Sequence, residues 1–218
     1  MIGRLWNPGG MPTIRPYRAS DREALYDICV RTGDAGADAT ALYRDPRILP
    51  DIFTGPYVEL EPELAFVLAE DGSDRPVGYI IGTADTPRFV AEYRRRWLPG
   101  VAARHPEGGG RSGLETERLH QLHHPEWMLA EELADYPAHL HIDLLPEAQG
   151  SGAGRALMGA FLAALRAAGV PRVHLGMAAA NTGARAFYDR LGFHEIAIEG
   201  PAVLLGRTTA ELRLPGEA

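Results

Sequence analysis

The chain has 218 residues, 45% of them hydrophobic, enough for one sizeable core or two small ones. A net charge of -7 with a pI near 5.6 argues against a nucleic-acid partner and fits a cationic substrate. One cysteine, Cys29, excludes disulfides within the chain and fits a reducing cytoplasm, and neither a membrane span nor a secretory leader is expected from the hydropathy.

Residues 1–11, with Asn-Pro-Gly-Gly, read as a loose extension before a domain over 12–218. A first strand is predicted at 13–17. Ser20 then caps a helix to about Arg31, with Glu23 completing a capping box and Leu25, Ile28 and Cys29 on one face. Glycines and prolines break 33–62 into loops and one or two short helices. A strand at 64–70 turns at 71–74 into an antiparallel partner at 76–83. A helix follows at about 87–97, a glycine-rich loop at 105–113, and a helical stretch at 114–136 broken at Pro125. These form a helical insertion at about 87–137. A strand at 139–145 leads into a glycine loop and a helix at 156–168, whose stripe is Leu157, Ala160, Phe161, Ala164, Leu165 and Ala168. Strand 173–177, helix 181–191 and strands 193–198 and 202–205 complete an α/β chain without internal repeats.

The loop Gln149-Gly150-Ser151-Gly152-Ala153-Gly154-Arg155 stands at a strand-to-helix junction. Glycines there bare the backbone N–H groups, and the helix start adds partial positive charge, so the loop suits an anion. Two cradles are excluded by spacing. Arg155 and Ala156 stand where a P-loop needs Lys and Ser or Thr. The third glycine of a dinucleotide fingerprint falls on Arg155 or Leu157. What remains is Gln-x-x-Gly-x-Gly. On the preceding strand, alternation puts His139, His141 and Asp143 on one face and Leu140, Ile142 and Leu144 on the other.

Downstream stands Asn181-Thr182-Gly183-Ala184-Arg185-Ala186-Phe187-Tyr188, closing at Leu191-Gly192-Phe193. Together with Pro146 and the loop spacing, this order resembles the GNAT N-acetyltransferases over about residues 12–206. Arg15-Pro16-Tyr17, Gly78-Tyr79, Gly82-Thr83-x-Asp85 and Trp97-x-Pro99 are similar to the acetyltransferase-like domain at the C-terminus of animal O-GlcNAc hydrolases. That domain lacks the glycine loop, which this chain keeps. The resemblance implies a GNAT fold, a mixed central sheet of six to seven strands with a V-shaped splay and helices on both faces.

It also implies acetyl-CoA as co-substrate. The pyrophosphate would meet Gln149, Gly150, Ser151, Gly152, Ala153, Gly154 and Arg155, although Arg155 reads equally as a solvated surface arginine. Leu144 and Leu145 would pair with the pantetheine arm, with an N–H near Leu144 polarising the thioester. Asn181 would bond the same arm and cap its helix. Phe187 and Tyr188 complete the motif, and Tyr188 either protonates the leaving thiolate or packs in the core. Asp143 is the candidate general base, direct or through water, or else a structural hydrogen-bond acceptor. His139 and His141 are weaker candidates, since a half-buried, hydrogen-bonded histidine is the commoner state. Cys29 is far in sequence from the site, and no covalent intermediate is expected.

His105, His120, His123 and His124 invite a metal reading, but no cysteine accompanies them and no metal is assigned. Arg94-Arg95-Arg96 reads as a solvated helix face, and Trp97 and Trp127 as core or lid packing. The expected function is cytoplasmic acetyl transfer to the primary amine of a small molecule or peptide, by a monomer or homodimer. A non-catalytic acyl-CoA binding or sensing protein is the alternative, and a scaffold with a degraded site is a third.

Overall fold

The computed structural model describes residues 13–110 and 112–212. The expected N-terminal extension, 1–11, lies outside the described residues. Branched and aromatic runs between turn signals become strands β1 (Thr13–Pro16), β2 (Phe66–Ala69), β3 (Pro76–Thr83), β4 (Ala138–Leu144), β5 (Arg172–Ala178), β6 (His194–Glu199) and β7 (Ala202–Thr208). They form one seven-stranded mixed sheet in the order β1-β2-β3-β4-β5-β7-β6.

Only β4 and β5 run parallel, and their pairing is confined to Ala138↔Val173 and His139↔His174. Beyond His139 the two strands part, while β4 stays paired with β3 from His139 to Leu144. This divergence is the expected V-shaped splay, and it opens the middle of the sheet.

The helices are α1 (Arg22–Thr32), α2 (Ile48–Phe53), α3 (Gly55–Leu60), α4 (Thr86–Glu92), α5 (Leu98–Val101), α6 (Gly113–His123), α7 (Ala153–Ala167) and α8 (Thr182–Arg190). On one face of the sheet α7 lies against β3, with the Phe161 ring directly over Gly82. On the other, Tyr57 of α3 and Phe89 of α4 pack around His139. The buried stripe of α7 is Leu157, Met158, Phe161, Leu162 and Leu165. It is rotated from the predicted one, because Ala168 is exposed and Met158 and Leu162 take the inward positions. Each of these large side chains contributes about 1.5–3 kcal/mol by leaving water.

Three local expectations are corrected. Ser20 does not cap α1; it sits in a 3₁₀ turn at Ala19–Asp21, and α1 starts at Arg22. Asp21 is drawn instead to the Arg15 guanidinium at 2.7 Å and the Arg18 N–H at 2.8 Å. The helix predicted over 87–97 is α4 followed by a π-helical turn, Tyr93–Trp97, whose extra residue per turn buries both Tyr93 and Trp97. The helix after the glycine loop starts at Ala153 rather than 156, so the last loop residues are its first turn. Pro125 ends α6 as expected, and 3₁₀ turns follow at Pro125–Met128 and Glu131–Leu133.

Segment 93–105 is fastened to the core through Asp51, which is 0% exposed. Its carboxylate accepts from Tyr26 Oη at 2.9 Å and Arg104 at 3.0 Å and meets His105 Nε2 at 2.9 Å, while its carbonyl accepts from Trp97 Nε1 at 2.8 Å. Burial alone would raise the Asp51 pKa, but the hydrogen bonds from His105, Arg104 and Tyr26 outweigh it and hold the carboxyl low.

Candidate active site

The splay and the helices over it enclose a cleft of about 1740 Å³. One end is the glycine loop. After β4, a 3₁₀ turn at Pro146–Ala148 reverses the chain, and the Gln149 amide donates back to the Leu144 carbonyl at 2.9 Å. Gly150 and Gly152 take φ of 73° and 86°, a left-handed backbone that a Cβ would strain. Gly152 is the N-cap of α7 and brings no side chain to its first N–H groups, which a helix start leaves without intrahelical acceptors. Ser151 turns its hydroxyl inward to the Ala148 carbonyl at 2.9 Å. Gly154 has a different reason to be glycine: a Cβ there would lie 3.2 Å from the Phe187 ring, so its absence lets α7 and α8 meet.

The splayed edge of β4 is next. The Leu145 N–H donates to Val77 O at 2.9 Å, which fixes the antiparallel alternation. The N–H groups of Ile142 and Leu144 therefore point away from β3, into the gap left by β5. Leu145 itself is buried, and it, Ser151 and Ala153 do not line the cleft, whereas Leu144, Gln149, Gly150, Gly152, Gly154 and Arg155 do. Asn181, Phe187 and Tyr188 line it from α8. Asn181 caps that helix, its Oδ1 accepting from the Ala184 N–H at 2.9 Å, while its Nδ2 donates to Ala35 O at 2.8 Å.

On the opposite side of β4 stands Asp143. Tyr79, its register partner on β3, donates to Asp143 Oδ2 at 2.6 Å, and the Tyr79 and Thr54 hydroxyls are 3.2 Å apart. Burial pushes the Asp143 carboxyl up; hydrogen bonds from Tyr79 and Thr32 offset part of that shift. Tyr188, 8% exposed, packs edge-on against Phe187 and Phe193. Burial and the charge of Asp143 hold its phenol well above the usual range, so it stays protonated. Cys29, remote in sequence, also lines this cleft, with its thiol against Thr54 and Tyr79. Burial and the nearby Asp143 charge push it up to about 12, which keeps it a thiol and a poor nucleophile.

His139 and His141 belong to a buried chain. Tyr57 Oη lies 2.7 Å from His139 Nε2 and 3.0 Å from His141 Nε2, and Thr86 Oγ1 lies 2.8 Å from His139 Nδ1. His174, on β5, faces His139 and sits 3.0 Å from the Tyr136 carbonyl. Burial, with mutual repulsion, lowers His139 well below its usual value and brings His141 to about 4; burial brings His174 to about 4 as well. All three are neutral at pH 7. Phe53 and Trp127 form the outer wall over His141, with Trp127 39% exposed.

The other histidines take structural partners. His105 meets Asp51, His123 Nε2 meets the His105 carbonyl at 2.7 Å, and His124 meets Glu107 at 2.7 Å. His120 stacks on His124, one helical turn on, rather than approaching His123. Among the described residues no group of three or more potential ligands is placed to hold a metal. Arg94 pairs with Glu126, and Arg95 and Arg96 with Glu92, on the exposed face expected of them. Tyr57, Thr32 and Phe53 escaped the sequence reading, and Tyr79 entered it only as part of a resemblance, with no place in the site. Register with Asp143 was the one signal available for Tyr79, and it requires knowing that 76–83 pairs with 139–145.

A parallel strand pair that parts at mid-sheet and a glycine loop opening a helix are the marks of the GNAT architecture. The sequence model of the Acetyltransferase (GNAT) family matches residues 117–193. The crystal structure of SsHAT is 62% identical, with a TM-score of 0.89, covering 93% of this chain and 100% of that one. The protein belongs to the GNAT family. Protein O-GlcNAcase of Rattus norvegicus is 28% identical over 203 residues, 90% of this chain and 22% of that protein. The chain thus spans about a fifth of the length of the curated relatives it first matches. The fold is shared more widely: yncA of Salmonella typhimurium, solved with its cofactor acetyl-CoA, is 16% identical with a TM-score of 0.53, covering 96% of this chain and 100% of that one. Among the described residues no helix is long and apolar enough to cross a membrane.

Proposed function

We propose that this protein is an acetyl-CoA-dependent N-acetyltransferase that transfers acetyl directly to a primary amine of a small molecule or peptide, in a cytoplasmic setting. The observation that carries the reading is the parting of β4 from β5 beyond His139, because one cleft then has the glycine loop at one end and Asp143 at the other. The left-handed glycines and the start of α7, whose N-cap glycine brings no side chain and whose Ala153 N–H turns back to Ser151 Oγ at 3.4 Å, fit an anionic pyrophosphate. In this reading Gln149 to Arg155 hold it, with Phe187 backing the loop, and the free edge at Leu144 binds the pantetheine arm near Asn181. Leu145 anchors the strand end through Val77.

When bound, acetyl-CoA supplies an acetyl group activated as a thioester. The Leu144 N–H stabilises negative charge on the carbonyl oxygen. Asp143 takes a proton from the attacking ammonium, directly or through water, and a raised carboxyl pKa suits a general base. Tyr188, held protonated, supplies the proton to the departing sulfur and regains one from the second proton that the amine nitrogen loses as the amide forms. Cys29 remains a thiol and carries no acetyl group.

The reading is tested by assaying a panel of amines for release of the CoA thiol, with calorimetry of acetyl-CoA alone. Binding near 1 μM corresponds to about 8 kcal/mol. Binding without transfer to any amine would instead favour a CoA-binding or sensing role, and no binding up to millimolar cofactor would defeat both.

A further inference from the structure

We propose that His141 is a specificity-determining residue whose unprotonated Nδ1 faces the acceptor cleft beside Asp143, so that the site selects amines carrying a second hydrogen-bond donor. The proposal rests on the acetyltransfer reading for its substrate, but the state of the imidazole follows from the hydrogen bonds together with the burial that keeps His139 neutral.

The chain of hydrogen bonds has a direction, and a backbone carbonyl sets it. The Thr86 hydroxyl donates to Pro137 O at 2.9 Å. With its one proton given to that carbonyl, which also takes the Thr86 N–H at 2.7 Å, the Thr86 hydroxyl accepts from His139 Nδ1, 2.8 Å away. His139 therefore bears its proton on Nδ1. Being neutral, it leaves Nε2 bare, and Nε2 accepts the Tyr57 proton across 2.7 Å. The Met128 sulfur, 3.8 Å from Tyr57 Oη, is the weaker acceptor for that proton. With its proton spent, the Tyr57 oxygen accepts from His141 Nε2 at 3.0 Å. His141 is thus the Nε2–H tautomer, and its lone pair is on Nδ1.

That lone pair is available. His141 lines the cleft, and Nδ1 makes no hydrogen bond to a described residue. His141 is half-buried rather than buried, so its ring reaches the cleft surface. The ring is held by Tyr57 on one side and by Phe53, edge-on at 5.7 Å, on another. Positions 141 and 143 lie on one strand face, roughly 6.5 Å apart along the strand. Two acceptors at that spacing, a carboxylate and a neutral imidazole, match an ammonium with a hydroxyl or amide N–H a few bonds away. A group that can only accept would confront the Nδ1 lone pair.

Two measurements decide it. In protein labelled with 15N-histidine, long-range proton–nitrogen spectra at pH 7 should show His141 protonated at Nε2 and bare at Nδ1, and His139 the reverse. A His141 protonated at Nδ1, or on both nitrogens, overturns the assignment. Second, 3-amino-1-propanol should exceed 3-methoxypropylamine in kcat/KM by about tenfold or more, because a site built for a donor rejects its methylated analogue. His141→Phe should abolish that preference. Tyr57→Phe, which keeps the imidazole but removes its clamp, should give mixed His141 tautomers and a reduced preference, so the result does not hang on one variant folding. An equal rate for the two amines with wild type, or a preference surviving His141→Phe, overturns the selectivity. If wild type acetylates no amine, the acetyltransfer reading fails and takes the selectivity with it, while the tautomer is still judged by the spectrum.

Discussion

Tyr79 Oη lies 2.6 Å from Asp143 Oδ2, joined by the register that pairs β3 with β4. The phenol donates to the carboxylate that would serve as base, and so moderates a pKa that burial raises. Tyr79→Phe removes the donor and should raise the Asp143 pKa further. The base must be ionised to act, so the acidic limb of kcat/KM should move to higher pH, with activity lost most at low pH. A limb that does not move would detach Tyr79 from the base.

His139, His141 and His174 make the fold sensitive to acid. Their folded pKa values lie below the ordinary 6.5, so the unfolded chain binds more protons in the interval between. Stability is therefore full above about pH 6.5 and falls with pH down to about 4. For His141 and His174 the loss is on the order of 3 kcal/mol each. Asp143, whose pKa is raised, acts in the opposite sense, favouring the fold at low pH. Urea unfolding across pH 7 to 4 should show a steep decline, and His174→Gln should flatten it.

The glycines should separate by mechanism. Gly152→Ala meets no neighbour but places a Cβ at φ 86°, costing about 1–2 kcal/mol of stability and intruding on the anion cradle. Gly154→Ala instead presses on Phe187 and should disturb the α7–α8 contact. Calorimetry with acetyl-CoA should show at least about tenfold weaker binding for Gly152→Ala, a loss of about 1.4 kcal/mol. Unchanged affinity would remove the loop from the cofactor site.

Asp51→Asn tests the clamp away from the chemistry. It leaves Arg104 and His105 without the carboxylate that they share with Tyr26. Asp51 is buried but Arg104 is 53% exposed, so the loss is that of leaving buried partners unpaired, about 1–3 kcal/mol. The melting temperature should fall accordingly. An unaltered melting point would mean that segment 93–105 does not depend on Asp51.

What the sequence made legible is what lies close along the chain. The glycine loop, the polar face of β4 and the Asn181 helix are each signalled within a few residues of themselves. The partners of Asp143 and His141 are not: Tyr79 and Tyr57 come from 64 and 84 residues away and meet β4 only through sheet register and the packing of α3. Cys29 misled for the same reason, since distance along the chain says little about a thiol carried by α1 to the cleft. Ser20 failed because a capping pattern competes with stronger partners, here the Arg15 guanidinium for Asp21.

The central claim is that Asp143 works on the amine and not on the cofactor. The direct measurement is CoA thiol release at saturating acetyl-CoA, for wild type and Asp143→Asn, with an amine that the wild type accepts. The variant should lose about 100-fold in turnover while its KM for acetyl-CoA stays within about twofold. Unchanged turnover, or a loss appearing only as a higher KM for acetyl-CoA, would contradict the account.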